Sequence, residues 1–414
     1  MSETVSDMPA PLREVLTESV SSVKQREGSA LDRILHAHQN RVVLFGCGGL
    51  GRRAIEKFRE LGVRPLALCD NNTSLWGTEI QGIAVLSVSQ AAARFGSGAL
   101  FLVAVWNPRH WYGETSQQLE AAGATFVTSY LPLFWRFPDD FLQVYLLNEL
   151  PAKVYQAKDS VLAAEELWAD DLSLRVYRAN IYWRALGDPR FMPPRPIENT
   201  YLPRDIFKPV RNECFLDCGA FDGDTVRQVL DRCGPDFAAI YSIEPDPASF
   251  EKLHDYVATL PVEIANRIHP IQGAVGDRRT VIRFRSGSDT GPMMNQDDQA
   301  GGDVQCYPLD DLPVVEPVTM IKMDIEGAEY DALHGASRTI ARDQPILAIC
   351  VYHTQSDIWR IPLLVHSMLP DHRLFLRAYE GDGFQTVLYA VPAGRLLAES
   401  EAAGAPNPGK PIAA

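Results

Sequence analysis

A chain of 414 residues, 46% hydrophobic and 22% charged, has room for two or three domains with cores of their own. Its 39 basic and 53 acidic residues leave a net charge of −14, which repels a phosphate backbone and makes a small molecule the expected substrate rather than nucleic acid. No apolar run approaches the ~18–20 residues that span a bilayer, the start MSETVSDMPAPLREV lacks the pattern of a secretory leader, and seven cysteines without a CxxC pair predict free thiols in a cytoplasmic protein. Cys214 and Cys218 are read as strand-end fillers, and homo-oligomerisation is left open.

Residues 1–29 are polar and broken by prolines, which predicts a flexible lead-in with one short helix. From 30 to 150, strand and helix patterns alternate: LDRILHAH, RVVLFG, RRAIEKFRELG, PLALCD, VSQAAARF and ALFLVAV. That rhythm predicts a parallel sheet with helices on its faces. Residues 151–200 carry apolar residues at helical spacing and are expected to connect two domains. From 201 to 395 the rhythm resumes, with ECFLDCG, AAIYSIEP, HPIQGAV, VTMIKMD, ILAICVYH and TVLYAVP as strands. The tail, 396–414, is small, polar and proline-bearing, hence disordered. The expected fold class is α/β, with two doubly wound Rossmann-like domains.

VVLFGCGGLG, residues 42–51, sets Gly46, Gly48 and Gly51, with Gly49 among them, at the spacing of a dinucleotide-binding turn. Asp70 ends the next strand nineteen residues past Gly51, the reach at which a carboxylate holds ribose hydroxyls. In AVWNPRHWYGE, Arg109 and His110 are candidates for a phosphate, and Trp106 and Trp111 for stacking. Three uses stay open: recognition of a nucleotide or nucleotide-sugar, the NAD(P) site of a nucleotide-sugar oxidoreductase, or a structural relic.

A second glycine turn, FLDCGAFDGDT, follows the strand at 215. Asp217 precedes Gly219 and Gly223, and Thr225 closes the turn, so the backbone can pass close beneath an adenosyl group. Glu244 ends the next strand, placed to accept hydrogen bonds from both ribose hydroxyls. Ala274 and Val275 fall beside the adenine, Asp324 stands at the mouth of the fourth strand, and His353 ends a later one. Parallel α/β sheets bind ligands at these carboxyl ends.

These stretches, with YSIEPDPASFEKL, GAVGD, PLDDL, MIKMDIEGAEYDALHGA, VYH and TVLYAVP, resemble the FkbM family of S-adenosylmethionine-dependent methyltransferases over about residues 201–392. The resemblance implies a class I methyltransferase fold and cofactor contacts at Asp217, Gly219, Ala220, Phe221, Asp222, Asp224, Glu244, Pro245, Asp246, Ala274 and Val275. It also implies methyl transfer to oxygen on a sugar, polyketide or similar metabolite. The N-terminal GCGGLG…CDNN…LWGTEIQGIAVLS pattern looks like a nucleotide-binding domain that precedes some sugar-modifying transferases.

Methylation of a hydroxyl needs alignment and a base. His353 is the preferred base, with an unperturbed pKa near 6.5. Asp324 and Glu326 flank the same mouth, to orient the methionine amino group, to act as base, or to hold a divalent cation with His353. Such a ligand set suits Mg²⁺ or Mn²⁺ only loosely. Lys322 is expected to pair partly with Asp324, and Glu329 reads equally well as a solvated helix residue. The loop 286–303 suits a lid or a plain surface loop, and Tyr201 and Phe207 either close over the cofactor or pack between domains.

Overall fold

The structure is a computed structural model that describes residues 10–107, 109–142, 149–187, 200–284 and 302–397. The chain divides into two compact units. One gathers the described residues up to 162 with 175–187 and 380–384; the other gathers 163–174, 200–379 and those from 385 on.

The first unit opens with helices α1 (Leu12–Val15) and α2 (Val20–Ala37). Residues 20–29, expected in a flexible lead-in, are therefore helical. Ser19 caps α2, and Val23, Glu27, Ala30 and Leu31 form its buried stripe. Glu27 disguises that stripe in the sequence; its carboxylate is buried because it accepts the Ala152 N–H at 2.9 Å. The α/β core follows: β1 (Val42–Phe45), α3 (Gly49–Glu60), β2 (Ala67–Cys69), β3 (Glu79–Ile80), β4 (Ile83–Leu86), α4 (Val88–Phe95), β5 (Leu100–Val103), α5 (Tyr112–Ala121) and β6 (Phe126–Ser129). The sheet order is β3-β4-β2-β1-β5-β6, parallel except for the β3–β4 pair. Every residue of β1 and β5 is buried, as a strand covered on both faces requires. Helices α6 (Leu131–Arg136) and α7 (Pro138–Phe141) follow, then α8 (Pro151–Gln156), α9 (Lys158–Glu165) and α10 (Asp171–Leu186), the last three in the stretch expected to be helical.

The second unit runs β7 (Glu213–Cys218), α11 (Asp224–Cys233), β8 (Phe237–Glu244), α12 (Pro247–Ala258), α13 (Val262–Ala265), β9 (Ile268–Gln272), β10 (Ala274–Val275), β11 (Thr280–Phe284) and β12 (Gly302–Tyr307). It continues with β13 (Met320–Met323), α14 (Glu329–Gly335), α15 (Ser337–Asp343), β14 (Ile346–Cys350), α16 (Asp357–Met368), β15 (Arg373–Ala378) and β16 (Thr386–Val391). The main sheet is ordered β15-β16-β14-β13-β7-β8-β9, with β16 antiparallel to both neighbours. A small sheet, β10-β12-β11, stands apart from it. The strand order reverses between β7 and β13, which opens a crevice at their carboxyl ends.

Three expectations change. β14 stops at Cys350, so His353 lies in the loop beyond the strand. Glu329, weighed as a solvated residue, is fully buried at the start of α14. Tyr201 and Phe207 are buried within the second unit, where Phe207 packs on Tyr389, rather than closing over a cavity. Residues 286–301 of the expected lid, the first nine residues of the lead-in and the tail from 398 lie outside the described residues. No described helix is long and apolar enough to cross a membrane, and all seven cysteines are free.

Candidate active site

β7 delivers the second glycine turn. Gly219 adopts φ +79°, and Gly223, at φ +87°, precedes the first residue of α11. Left-handed geometry of this kind favours glycine. Phe221 shares it at φ +46° and leaves its ring 54% exposed. Asp224 turns its carboxylate back onto the Thr225 N–H at 2.7 Å. At the end of β8, Glu244 Oε2 accepts the Phe221 N–H and Oε1 the Asp246 N–H, each at 2.8 Å. Burial raises the Glu244 pKa, and these two backbone bonds counter it. Each oxygen keeps a lone pair for a further donor.

A cavity of about 1080 Å³ opens over these strand ends. Gly219, Phe221 and Asp224 line it from the turn, and Glu244, Pro245 and Asp246 from the end of β8. Ala274 and Val275 of β10 and, beyond β13, Asp324 and Glu326 complete the expected set on its wall. Asp217, Ala220, Asp222, Gly223, Thr225 and His353 are not on that wall. Asp217 is sealed beneath the turn, where Lys322 Nζ lies 3.1 Å from its Oδ1 and donates to the Gly219 carbonyl at 2.5 Å. Lys322 thus pairs with Asp217 rather than chiefly with Asp324. Asp222 meets Arg227 at the surface, at 2.9 Å. Burial pushes the Asp217 pKa up to about 6, against the pull of Lys322.

Also on the cavity wall, Asp324 Oδ2 accepts the Tyr201 hydroxyl at 2.6 Å and Oδ1 the Tyr352 hydroxyl at 3.1 Å. His353 Nε2 lies 3.2 Å from Asp324 Oδ1 and 3.6 Å from Glu326 Oε2, and its Nδ1 lies 2.8 Å from Glu329 Oε1. Burial alone would lower the His353 pKa and raise that of Asp324. The Glu329 and Asp324 carboxylates outweigh it at His353, which stays well above 6.5. The adjacent imidazole, with Lys322 and Tyr201, holds Asp324 well below the ordinary carboxylate range. Glu326 moves the other way: burial, with Asp324, Glu329 and Glu244 nearby, pushes it up to about 7 against His353. Of His353 and Glu326, both expected at this mouth, only Glu326 lines the cavity. Asp324, Glu329 and His353 each offer a ligand atom within 4.8 Å of the others. Glu329 already accepts the Ile325 and Gly327 N–H groups, and the two ring nitrogens face different carboxylates. The ring nitrogens lie within ion-pair distance of these carboxylates but complete no hydrogen bond to them.

In the first unit the glycine turn repeats the plan. Gly46 adopts φ +102°, and a Cβ on Gly51 would lie 2.0 Å from the Gly46 oxygen, whereas one on Gly48 or Gly49 would meet nothing within 4 Å. Asp70 Oδ2 accepts the Cys47 N–H at 2.7 Å and Oδ1 the Asn72 N–H at 2.8 Å. Asp70 thus holds its turn as Glu244 holds the other, a correspondence visible only in the coordinates. Past β5, the Arg109 N–H bonds Asn107 Oδ1 at 2.9 Å, and His110 Nε2 lies 2.8 Å from Thr115 Oγ1.

A doubly wound sheet with one reversed strand, and a glycine turn and a carboxylate at its switch point, make up a Rossmann-like fold of the class I methyltransferase kind. The chain carries a methyltransferase FkbM domain: residues 217–382 match the sequence model of that family. The crystal structure of methyltransferase FkbM from Methylobacillus flagellatus KT superposes over 90% of this chain and 99% of that one, with a TM-score of 0.69 at 21% identity, a likeness of fold. The N-terminal region matches the redox-sensing transcriptional repressor Rex of Roseiflexus sp. (strain RS-1), 32% identical over 100 residues. That match covers 24% of this chain and 46% of the repressor, so the chain spans less than half the length of this relative.

Proposed function

We propose that the second unit transfers the methyl group of S-adenosylmethionine to a hydroxyl of a sugar or secondary metabolite. The supporting observation is the cavity, whose wall carries both Glu244, tied to the glycine turn, and Glu326. Glu244 would hold the ribose hydroxyls, and Ala274 and Val275 would lie against the adenine. Titration calorimetry tests this reading. S-adenosylmethionine should bind the whole chain, and Glu244→Ala should weaken it about 100-fold, the loss of two charge-assisted hydrogen bonds. No heat of binding from the wild-type chain would end the proposal.

The first unit, on the same reasoning, is a nucleotide-binding module. Its open Gly48 and its Asp70, already oriented by Cys47 and Asn72, favour a ligand with a free ribose diol and a phosphate. NADH is a convenient probe: its fluorescence should rise on binding the wild-type chain, and Gly48→Leu should abolish the rise by filling the approach to the turn. Equal binding by the variant would argue against this site. Oxidoreductase activity is the second reading, and it requires turnover of that NADH.

A further inference from the structure

Glu326 sits at φ +57° and Gly327 follows at φ +100°. A side chain held in the left-handed region costs on the order of 1 kcal/mol and persists only where neighbours fix it. Glu329 supplies the fixing. Its Oε1 accepts the Ile325 N–H at 2.8 Å and its Oε2 the Gly327 N–H at 3.0 Å, the residues on either side of Glu326. The same Oε1 meets His353 Nδ1, so one buried carboxylate sets both the loop and the ring. A carboxylate oxygen 2.8 Å from Nδ1 and another 3.2 Å from Nε2 favour the doubly protonated, cationic ring.

The mouth therefore holds three groups with different capacities. Asp324 already faces two hydroxyls and the imidazole, and has no reason to take a proton. His353 is 8% exposed and lies off the cavity wall. Glu326 is on the wall, and its side chain is 38% exposed. The charged and titratable groups that act on it are Asp324 from the end of β13, Glu329 from α14, Tyr352 and His353 from the loop after β14, and Glu244 from β8.

We propose that Glu326 accepts the proton of the acceptor hydroxyl, and that His353, oriented by Glu329, is a positioning residue that acts as a fixed cation beside it. The inference rests on the methyltransferase reading. As the acceptor oxygen bonds to the methyl carbon, the C–S electron pair stays on sulfur and the O–H proton passes to a Glu326 oxygen, so charge is conserved. The pH behaviour of Glu326 agrees, since a carboxyl near 7 is ionised in a useful fraction at neutrality and a strong enough base to matter.

The test is an NMR titration of the full chain with S-adenosylmethionine bound, labelled with ¹³C-glutamate and ¹⁵N-histidine. Resonances are assigned by their loss in Glu326→Gln and His353→Gln. Both ring nitrogens of His353 should stay protonated across the neutral range, and the Glu326 carboxyl should titrate near neutrality. In His353→Gln the Glu326 midpoint should rise by about one pH unit or more, because a nearby cation has been removed. In Glu329→Gln the imidazole should begin to titrate near neutrality. A His353 that loses its proton near its ordinary value in the wild type, or a Glu326 that titrates like a free glutamate, overturns the proposal. Calorimetry separates the two levels. Glu326→Gln should bind S-adenosylmethionine within about twofold of wild type; a large loss would place Glu326 at the cofactor and end the inference while the methyltransferase reading stands. No binding by the wild type would end both.

Discussion

Gly219→Ala is expected to destabilise the second unit by about 4 kcal/mol. The added Cβ would stand 1.9 Å from the carbonyl oxygen of Asp324 and 3.0 Å from its carbon. Both are backbone atoms at the end of β13 and cannot rotate away. The residue also sits at φ +79°, where a side chain is strained even in open space. The two penalties add, because relieving either needs movement of the strand ends that carry Asp217 and Asp324. Chemical denaturation that follows the transition shifted by S-adenosylmethionine measures the loss. Gly394→Ala, whose Cβ would meet nothing within 4 Å, is the control and should change stability by under about 0.5 kcal/mol. A cost below about 1 kcal/mol for Gly219→Ala would mean that the turn yields easily.

Lys322→Met should cost a similar amount, about 3–5 kcal/mol, by leaving a buried carboxylate without its partner. Asp217 is fully buried, and the ammonium at 3.1 Å is its one charged contact among the described ion pairs. Burial already raises its pKa to about 6 in the folded chain. Without Lys322 that value must climb further, and the sign of the pH dependence follows. A group whose folded pKa exceeds its unfolded value stabilises the fold when protonated; that stability is complete below the unfolded pKa, near 3.9, and is lost as pH rises through the folded one. The deficit of Lys322→Met should therefore be larger at about pH 8 than at about pH 5.5, and the double variant Asp217→Asn, Lys322→Met should recover most of it. A deficit independent of pH would show that lost packing, rather than lost charge, accounts for the cost.

The strands with continuous apolar runs were legible in the sequence because both their faces are covered; ECFLDC and ILAIC are buried throughout. The β11 strand of the small sheet was not, since TVIRF has three of its five residues exposed and a fourth half-buried, and carries no periodic signal. Strand-end acids could be placed from spacing alone, and Glu244, Asp324 and Glu326 do share one cavity. Protonation was beyond reach of that reasoning. Whether His353 is a base or a cation depends on two carboxylates, and one of them, Glu329, has the local sequence of an ordinary surface helix. Asp217 does stand near the end of its strand, as expected, but it is buried against Lys322, two residues before Asp324, a pairing that spacing alone does not reveal.

The position of β16 has a bearing on how the protein is made. The last strand in chain order among the described residues, Thr386–Val391, inserts between β14 and β15, which precede it. Until it leaves the ribosome, two long apolar edges stand open, and a nascent or prematurely terminated chain presents them for edge-to-edge aggregation. Completion of the sheet thus waits for β16 to emerge and pair, and chaperone dependence should concentrate in the interval before it does.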